Sequence, residues 1–95
     1  MITQITSKKD VVTFAKNLIA EGVSFHPDDD FGDIVNNKTN KPTYTKSEAS
    51  KRNNLMNQSF DVCEKEGVDI YDFMLETTLK ETGLDRFIPL PSSLN

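Results

Sequence analysis

The sequence predicts an all-α fold of three principal helices, with a long irregular segment between helices one and two and an ordered C-terminal tail. Thr45 followed by Glu48 is the pattern of a capping box, in which a hydroxyl and a carboxylate close the first turn of a helix. Gly67 can adopt the left-handed conformation that ends a helix, and Asp69 can cap the next one. The 95 residues are enough for a single small domain, residues 1–95.

The first helix is predicted from Lys8 to Glu21, with Ser7 as its N-cap and Gly22 directly after its end. At about 100° per residue, six apolar side chains fall on one arc of about 160°. They are Val11, Val12, Phe14, Ala15, Leu18 and Ile19. One apolar side is typical of a helix that covers a core.

Between residues 23 and 45 the composition changes to loop-forming residues, with a dense cluster of turn formers at 36–42. Asp30 is placed to cap a single helical turn. The sequence leaves open whether residues 33–45 form a small hairpin, with Ile34 and Val35 opposite Thr43 and Tyr44. A connection this long in a small domain is usually functional or held by its aromatic side chains. The candidate anchors are Phe25, Phe31 and Tyr44.

The second helix is predicted from Lys46 to Glu66, and it too has an apolar arc of about 160°. The arc contains Ala49, Leu55, Met56, Ser59, Phe60, Val62 and Cys63. Arg52 projects into the middle of this arc, where a charge needs a partner. We therefore expect a structural ion pair between Arg52 and a carboxylate of the acidic loop, which is Asp28, Asp30 or Asp33.

The third helix is predicted from Ile70 to Thr82, and its apolar residues spread over about 240° of its circumference. A helix this apolar is covered on two sides. The apolar tail that follows, Leu84–Pro91, is expected to fold back on it, and a partner protein or a second copy is the alternative cover. The candidate partner surface is Tyr71, Leu75, Leu79, Phe87 and Ile88.

The charge balance argues against a general nucleic-acid binder, because 15 acidic residues exceed 11 basic ones and the net charge is −4. The alternative function of this class is nucleic-acid binding through the basic stretch 38–52. That stretch contains Lys38, Lys41, Lys46, Lys51 and Arg52. Its simpler interpretation is a charged surface opposite the acidic loop.

A second alternative is an enzyme or a divalent-metal binder that uses His26 and the aspartates of residues 28–33. The aspartates do not match the spacing of a calcium-binding loop, since no register puts glycine sixth and glutamate twelfth. The single Cys63 excludes an intramolecular disulfide, and its place on an apolar helix face indicates a core residue. No catalytic residue, cofactor or metal site is predicted.

Taken together, these patterns favour a small, non-enzymatic interaction or regulatory protein. Residues 1–5 lack the features of a signal peptide, and no apolar run approaches the ~18 residues of a membrane span. We therefore expect a cytoplasmic location and no membrane partner. The expected partner is an unidentified protein or a second copy of the chain.

Overall fold

The computed structural model describes residues 1–83, and its main elements are three helices: α1 (Lys8–Ala20), α2 (Lys46–Glu66) and α3 (Ile70–Thr82). The predicted helical fold is confirmed, and α2 and α3 have the bounds that the sequence predicts. The expected C-terminal tail lies outside the described residues. No helix within residues 1–83 combines the length and the apolar character that crossing a membrane requires.

Each helix begins at a side chain that binds its free N–H groups. The Ser7 hydroxyl accepts a hydrogen bond from the third residue of α1 at 3.3 Å. The capping box is complete at α2, because the Glu48 N–H donates to the Thr45 hydroxyl at 3.1 Å while the Glu48 carboxylate accepts from the Thr45 N–H at 2.9 Å. The Asp69 carboxylate accepts from the N–H groups of the second and third residues of α3, at 2.9 and 3.3 Å respectively. Local side-chain chemistry therefore sets all three starting points.

The turn between α2 and α3 is made by Gly67, whose φ of 69° lies in the left-handed region. Its N–H donates to the Glu64 carbonyl at 3.1 Å, and the Val68 N–H donates to the Cys63 carbonyl at 2.8 Å. This pair of bonds defines a Schellman motif, which ends a helix and reverses the chain. The motif places α3 immediately after α2.

The core lies where the three helices meet residues 31 and 44 of the connecting segment. Phe31 is fully buried between Phe14 and Tyr44, with ring centroids 6.4 and 6.1 Å apart respectively. The Phe31 N–H donates to the Asn53 side-chain oxygen at 2.9 Å. These contacts hold the connection between α1 and α2 against the helices. The buried apolar residues are Ile5, Val11, Phe14, Ala15, Leu18, Phe31, Tyr44, Ala49, Leu55, Met56, Cys63, Ile70 and Met74.

Residues 21–45 contain a 3-10 turn, Phe31–Asp33, and a single antiparallel bridge between Val35 and Pro42. The Thr43 N–H donates to the Ile34 carbonyl at 2.9 Å, so the two sides form a small hairpin-like loop. The pairing lies closer to the turn than an Ile34–Val35 and Thr43–Tyr44 hairpin would place it. Tyr44 is consequently left out of the pairing and is buried in the core.

The N-terminal residues pack along α1 and α2, a feature that the sequence does not predict. Ile5 is buried, and its N–H donates to the Gln58 side-chain oxygen at 2.8 Å. The Ile2 N–H donates in the same way to the side chain of Asn17 at 3.0 Å. Long polar side chains on two helices therefore satisfy the backbone of this extended segment.

Candidate functional site

An apolar groove lies between α3 and the loop that precedes the 3-10 turn, and it encloses a cavity of about 250 Å³. We call it the loop–α3 groove. Its walls are Phe25, His26 and Pro27 from the loop and Tyr71, Asp72, Met74, Leu75 and Thr78 from α3. A larger cleft of about 640 Å³ lies between the end of α1 and the Val35 loop, but its lining is about half polar. The smaller groove has the apolar character that a binding site for apolar side chains needs.

Two large apolar side chains of the predicted partner surface lie exposed at this groove. Leu75 is 58% exposed and Tyr71 is 42% exposed, whereas most other large apolar residues of the described chain are buried or half-buried. They stand one helical turn apart on α3, so they form a single patch. Leu79 is half-buried, and Phe87 and Ile88 lie outside the described residues.

Tyr71 joins the loop to α3. Its hydroxyl donates to the Asp28 carboxylate at 2.8 Å, and this hydrogen bond raises the pKa of Tyr71. Its ring packs against His26, with centroids 5.5 Å apart, and edge-on against Phe60 at 6.0 Å. The loop wall of the groove is therefore held in place by the same residue that forms part of its apolar surface.

Two carboxylates of the acidic loop, those of Asp29 and Asp30, accept hydrogen bonds within turns. Asp29 accepts a hydrogen bond from the His26 N–H at 2.9 Å. Asp30 accepts from the Asn53 side chain at 2.9 Å and from the Gly32 N–H at 2.8 Å, and these bonds lower the pKa of Asp30. No group of three or more His, Cys, Asp or Glu side chains within residues 1–83 is arranged to hold a metal ion.

His26 is the residue on which the enzyme alternative depends. Its ring nitrogen Nδ1 lies 3.8 Å from an Asp28 carboxylate oxygen and accepts a hydrogen bond from the Asp28 N–H at 3.2 Å. Both side chains are exposed. The structure thus places one aspartate side chain beside His26, while the carboxylates of Asp29 and Asp30 are bound within their own turns.

The predicted partner of Arg52 is not the one observed, so this prediction is wrong. Arg52 pairs with the carboxylate of Glu21 and not with that of Asp28, Asp30 or Asp33. The guanidinium donates to both carboxylate oxygens of Glu21, at 2.6 Å from Nη2 and at 3.2 Å from Nε. Its third nitrogen, Nη1, donates to the Glu48 carbonyl at 3.0 Å, and its carbon Cζ lies 4.2 Å from the centroid of the Tyr44 ring. Arg52 is only 7% exposed, so this is a buried charge with a complete set of partners.

The reason for this difference lies in the packing of α1 on α2. Glu21 follows the last residue of α1, and that end of the helix lies beside Arg52 and Tyr44. Asp30 contacts a different residue of α2, because the Asn53 side chain donates a hydrogen bond to it. A carboxylate is unfavourable at the C-terminal end of a helix. The position of Glu21 at the end of α1 was the signal in the sequence that this carboxylate has a cationic partner outside its own helix.

Glu21, Tyr44 and Arg52 form a cluster in which each group affects the pKa of its neighbours. Burial raises the pKa of Glu21, but the hydrogen bonds from Arg52 and Tyr44 outweigh burial and leave that pKa below its ordinary value. Burial and the neighbouring carboxylate of Glu21 raise the pKa of Tyr44 to about 12. Glu21 is therefore ionised and Tyr44 is neutral at physiological pH. The cluster is a structural connection between α1, the connecting segment and α2.

The ion pair with Glu21 reduces the number of exposed bases in the basic stretch 38–52. Arg52 is buried against Glu21, so it is not exposed to a phosphate backbone. The other four bases, which are Lys38, Lys41, Lys46 and Lys51, are exposed. Two of them lie on the hairpin-like loop and two on α2.

Cys63 is buried in the core at 1% exposure, and burial raises the pKa of its thiol. A buried thiol with a raised pKa has little of the thiolate form that nucleophilic chemistry requires.

Several residues were not predicted as site residues: the ion-pair partner Glu21 and the groove residues Phe25, Pro27, Asp72, Met74 and Thr78. Pro27 is buried although it lies in a polar, acidic loop, and composition alone cannot show this. Comparison of the chain with models of protein families, with curated proteins and with solved structures finds no match in any of the three.

Proposed function

We propose that this chain is a small, non-enzymatic interaction protein that binds an extended apolar segment of a partner protein in the loop–α3 groove. The observation that carries the proposal is the exposure of Leu75 and Tyr71 beside an apolar cavity. Exposed apolar residues that adjoin each other and are rimmed by polar groups are typical of interaction sites. Here the polar rim consists of His26, Asp28 and Asp72.

The size of the cavity favours side chains of a protein over a free small molecule. About 250 Å³ lies below the usual range of small-molecule pockets, about 300–1,000 Å³. Partner side chains in this space would cover Leu75 and the ring of Tyr71. Each apolar side chain that becomes fully buried contributes about 1.5–3 kcal/mol before ordering costs. Binding also needs contacts along the rest of the groove, because association itself costs at least about 4 kcal/mol in lost translational and rotational freedom.

The proposal places the protein inside the cell, because its single cysteine gives no disulfide framework of the kind that small secreted domains use.

A second copy of the chain is the other occupant with suitable apolar surface. It would make the protein a dimer, which sedimentation velocity at several protein concentrations detects. A dimer dispersed by Leu75→Asp would favour the second copy over a separate partner.

The test is selection of binding peptides from a random library displayed against the full chain. We expect the selected peptides to share closely spaced apolar residues and to bind Leu75→Asp at least about tenfold more weakly, the loss that about 1.4 kcal/mol produces. The matched control is Asn54→Asp, which adds the same charge at an exposed position of α2 that does not line the groove. Failure to enrich any peptide, or equal binding to Leu75→Asp and the unaltered chain, would contradict the proposal.

A further inference from the structure

We propose that residues 84–91 of the same chain occupy the loop–α3 groove when no partner is bound, with Phe87 beside Leu75. This inference rests on the proposed function of the groove as a site for an extended apolar segment. It adds the identity of one occupant and makes the C-terminal tail a competitor of the partner. The direction, the reach and the composition of this segment support its place in the groove.

The direction follows from how the helices of this protein end. After α1, the Gly22 N–H donates to the Ile19 carbonyl at 2.9 Å and the Val23 N–H donates to the Leu18 carbonyl at 3.4 Å. The end of α2 has the same two bonds. In both places the residue after the glycine is a valine that packs against the core. The motif turns the chain back and sets that residue against the last turn of its own helix.

The end of α3 shows the first of these two bonds. Gly83 has a φ of 75°, and its N–H donates to the Lys80 carbonyl at 3.3 Å. The next residue is again apolar, Leu84, and the position that it would contact in this motif is Leu79. Leu79 is half-buried and lies one turn after Leu75 on the same side of α3. A complete Schellman turn at Gly83, with Leu84 against Leu79, is part of the proposal, and it would direct the chain back along α3 towards the groove.

The length of the segment decides which of its residues can lie beside Leu75, and this alignment is the register of the segment on α3. Leu75 lies eight residues before Gly83, which is about 12 Å along a helix at about 1.5 Å per residue. An extended chain covers about 3.3 Å per residue, so about four residues span this distance. The fourth residue after Gly83 is Phe87. Pro89 and Pro91 favour an extended backbone for the residues around them.

The composition of the segment complements the groove. Phe87 and Ile88 supply apolar side chains to a cavity whose walls are largely apolar. Arg86, directly before Phe87, matches the carboxylates of Asp28 and Asp72 at the rim. The segment also has an acidic residue, Asp85, which lies nearer to the end of α3 in this register.

A tail attached next to the groove competes strongly with a separate partner. Linkage through a short segment gives an effective concentration in the millimolar range. A segment with an intrinsic dissociation constant of about 0.1 mM would therefore weaken the binding of a competitor about tenfold. Partner binding would require release of the tail.

The direct test uses the absence of tryptophan from the sequence. Phe87→Trp in the full chain introduces a single reporter in the segment. We expect its fluorescence to be blue-shifted and at least about threefold less quenched by iodide than in Phe87→Trp combined with Leu75→Asp. The combination with Asn54→Asp is the control and should behave like Phe87→Trp alone. Leu75 is exposed, so its replacement should leave the helical circular dichroism signal unchanged.

A tryptophan at position 87 that iodide quenches as freely as a short peptide, with no response to Leu75→Asp, would overturn the inference. Protection that disappears on dilution would overturn it as well, because the occupant would then be the tail of a second copy. Neither result concerns binding of the library peptides selected against the chain. The proposed function therefore keeps its own test.

A second measurement uses a fluorescent peptide with the sequence of residues 84–91. The variant Phe87→Asp should bind it about tenfold more tightly than the unaltered chain, and Phe87→Asp combined with Leu75→Asp should not bind it. Equal affinity of Phe87→Asp and the unaltered chain would show that the tail does not compete. Absence of binding to both, while library peptides still bind, would show that the groove accepts a partner but not this segment.

Discussion

At the scale of single residues, Arg52 shows how a buried charge can organise a small domain. Its guanidinium donates to Glu21 through two nitrogens and to a backbone carbonyl through the third, and it lies over the Tyr44 ring. Lysine has the same charge but lacks the planar fork of donors. The geometry at this site therefore depends on the guanidinium and not on charge alone.

The first prediction concerns this geometry. Arg52→Lys should lower the free energy of unfolding by about 1–2 kcal/mol, and Arg52→Ala by about 3 kcal/mol, because the alanine variant leaves Glu21 half-buried without its cation. Urea denaturation measures both. Lys51→Ala, at the exposed neighbouring position, should stay within about 0.5 kcal/mol of the unaltered chain. A lysine variant as stable as the unaltered chain would show that the planar donors of the guanidinium and its contact with the Tyr44 ring contribute nothing to the free energy of unfolding.

The second prediction concerns pH. The pKa of Glu21 in the folded protein lies below its ordinary value of 4.5, so the unfolded chain takes up a proton at Glu21 more readily than the folded one. The stabilisation is therefore fully present above pH 4.5 and is lost as the pH falls through the lower, folded-state value. Glu21→Gln should be less stable at pH 7, and its deficit should shrink at lower pH. Urea denaturation of both proteins from pH 7 to pH 3 measures the difference.

The comparison with Glu21→Gln is necessary because other carboxyl groups also have lowered pKa values. Asp10, Asp30 and Glu48 lose hydrogen bonds to backbone or side-chain donors when they are protonated. The contributions of Asp10 and Asp30 are common to both proteins and cancel in the difference, while that of Glu48 changes slightly because the charge of Glu21 raises its pKa. A stability deficit that stays constant across the whole pH range would contradict the role assigned to Glu21.

At the scale of elements, the beginnings of the helices depend on a few polar side chains. The third prediction is that Thr45→Ala lowers the free energy of unfolding by about 1 kcal/mol, because the capping box at α2 loses its hydroxyl. Ser50→Ala, at an exposed position within α2, should be neutral or slightly stabilising because alanine is the better helix former. Equal losses in the two variants would argue against a specific cap.

The fourth prediction concerns the contact between the acidic loop and α3. Tyr71→Phe keeps the ring against His26 and Phe60 but removes the hydrogen bond to Asp28. We expect faster hydrogen exchange at the amides of residues 26, 28 and 29, with little change in α1 or α2, since the effect of one exposed hydrogen bond is local. Tyr71→Ala should accelerate exchange further. Unchanged exchange in Tyr71→Phe would mean that packing alone holds the loop.

At the scale of the whole molecule, the core brings all three helices and the connecting segment into a single packed unit. The fifth prediction uses Cys63, which is buried within that core. A thiol reagent should modify it slowly in the folded protein, and the rate should rise with denaturant in parallel with global unfolding. A cysteine placed at the exposed position 54, in a chain with Cys63→Ser, should react rapidly. Rapid modification of native Cys63 would reopen the possibility of a reactive thiol.

The sequence by itself determined the helices of this protein. The caps at Ser7, Thr45 and Asp69 and the turn at Gly67 act over less than two helical turns, so their effects can be predicted without knowledge of the fold. The apolar patterns likewise predicted the buried faces of α1 and α2. They also predicted that Arg52 needs a carboxylate and that Tyr71 and Leu75 belong to one surface.

Only the tertiary structure decided which distant residues meet these faces. Glu21 binds Arg52 because the end of α1 packs there, and Pro27 joins Leu75 because Tyr71 holds the loop against α3. Both contacts join residues more than 30 positions apart in the chain, as the separation of 31 between Glu21 and Arg52 shows. Such contacts depend on the packing of whole helices, which no local signal encodes. The groove is therefore a product of the fold, while the residues that make it apolar are visible in the sequence.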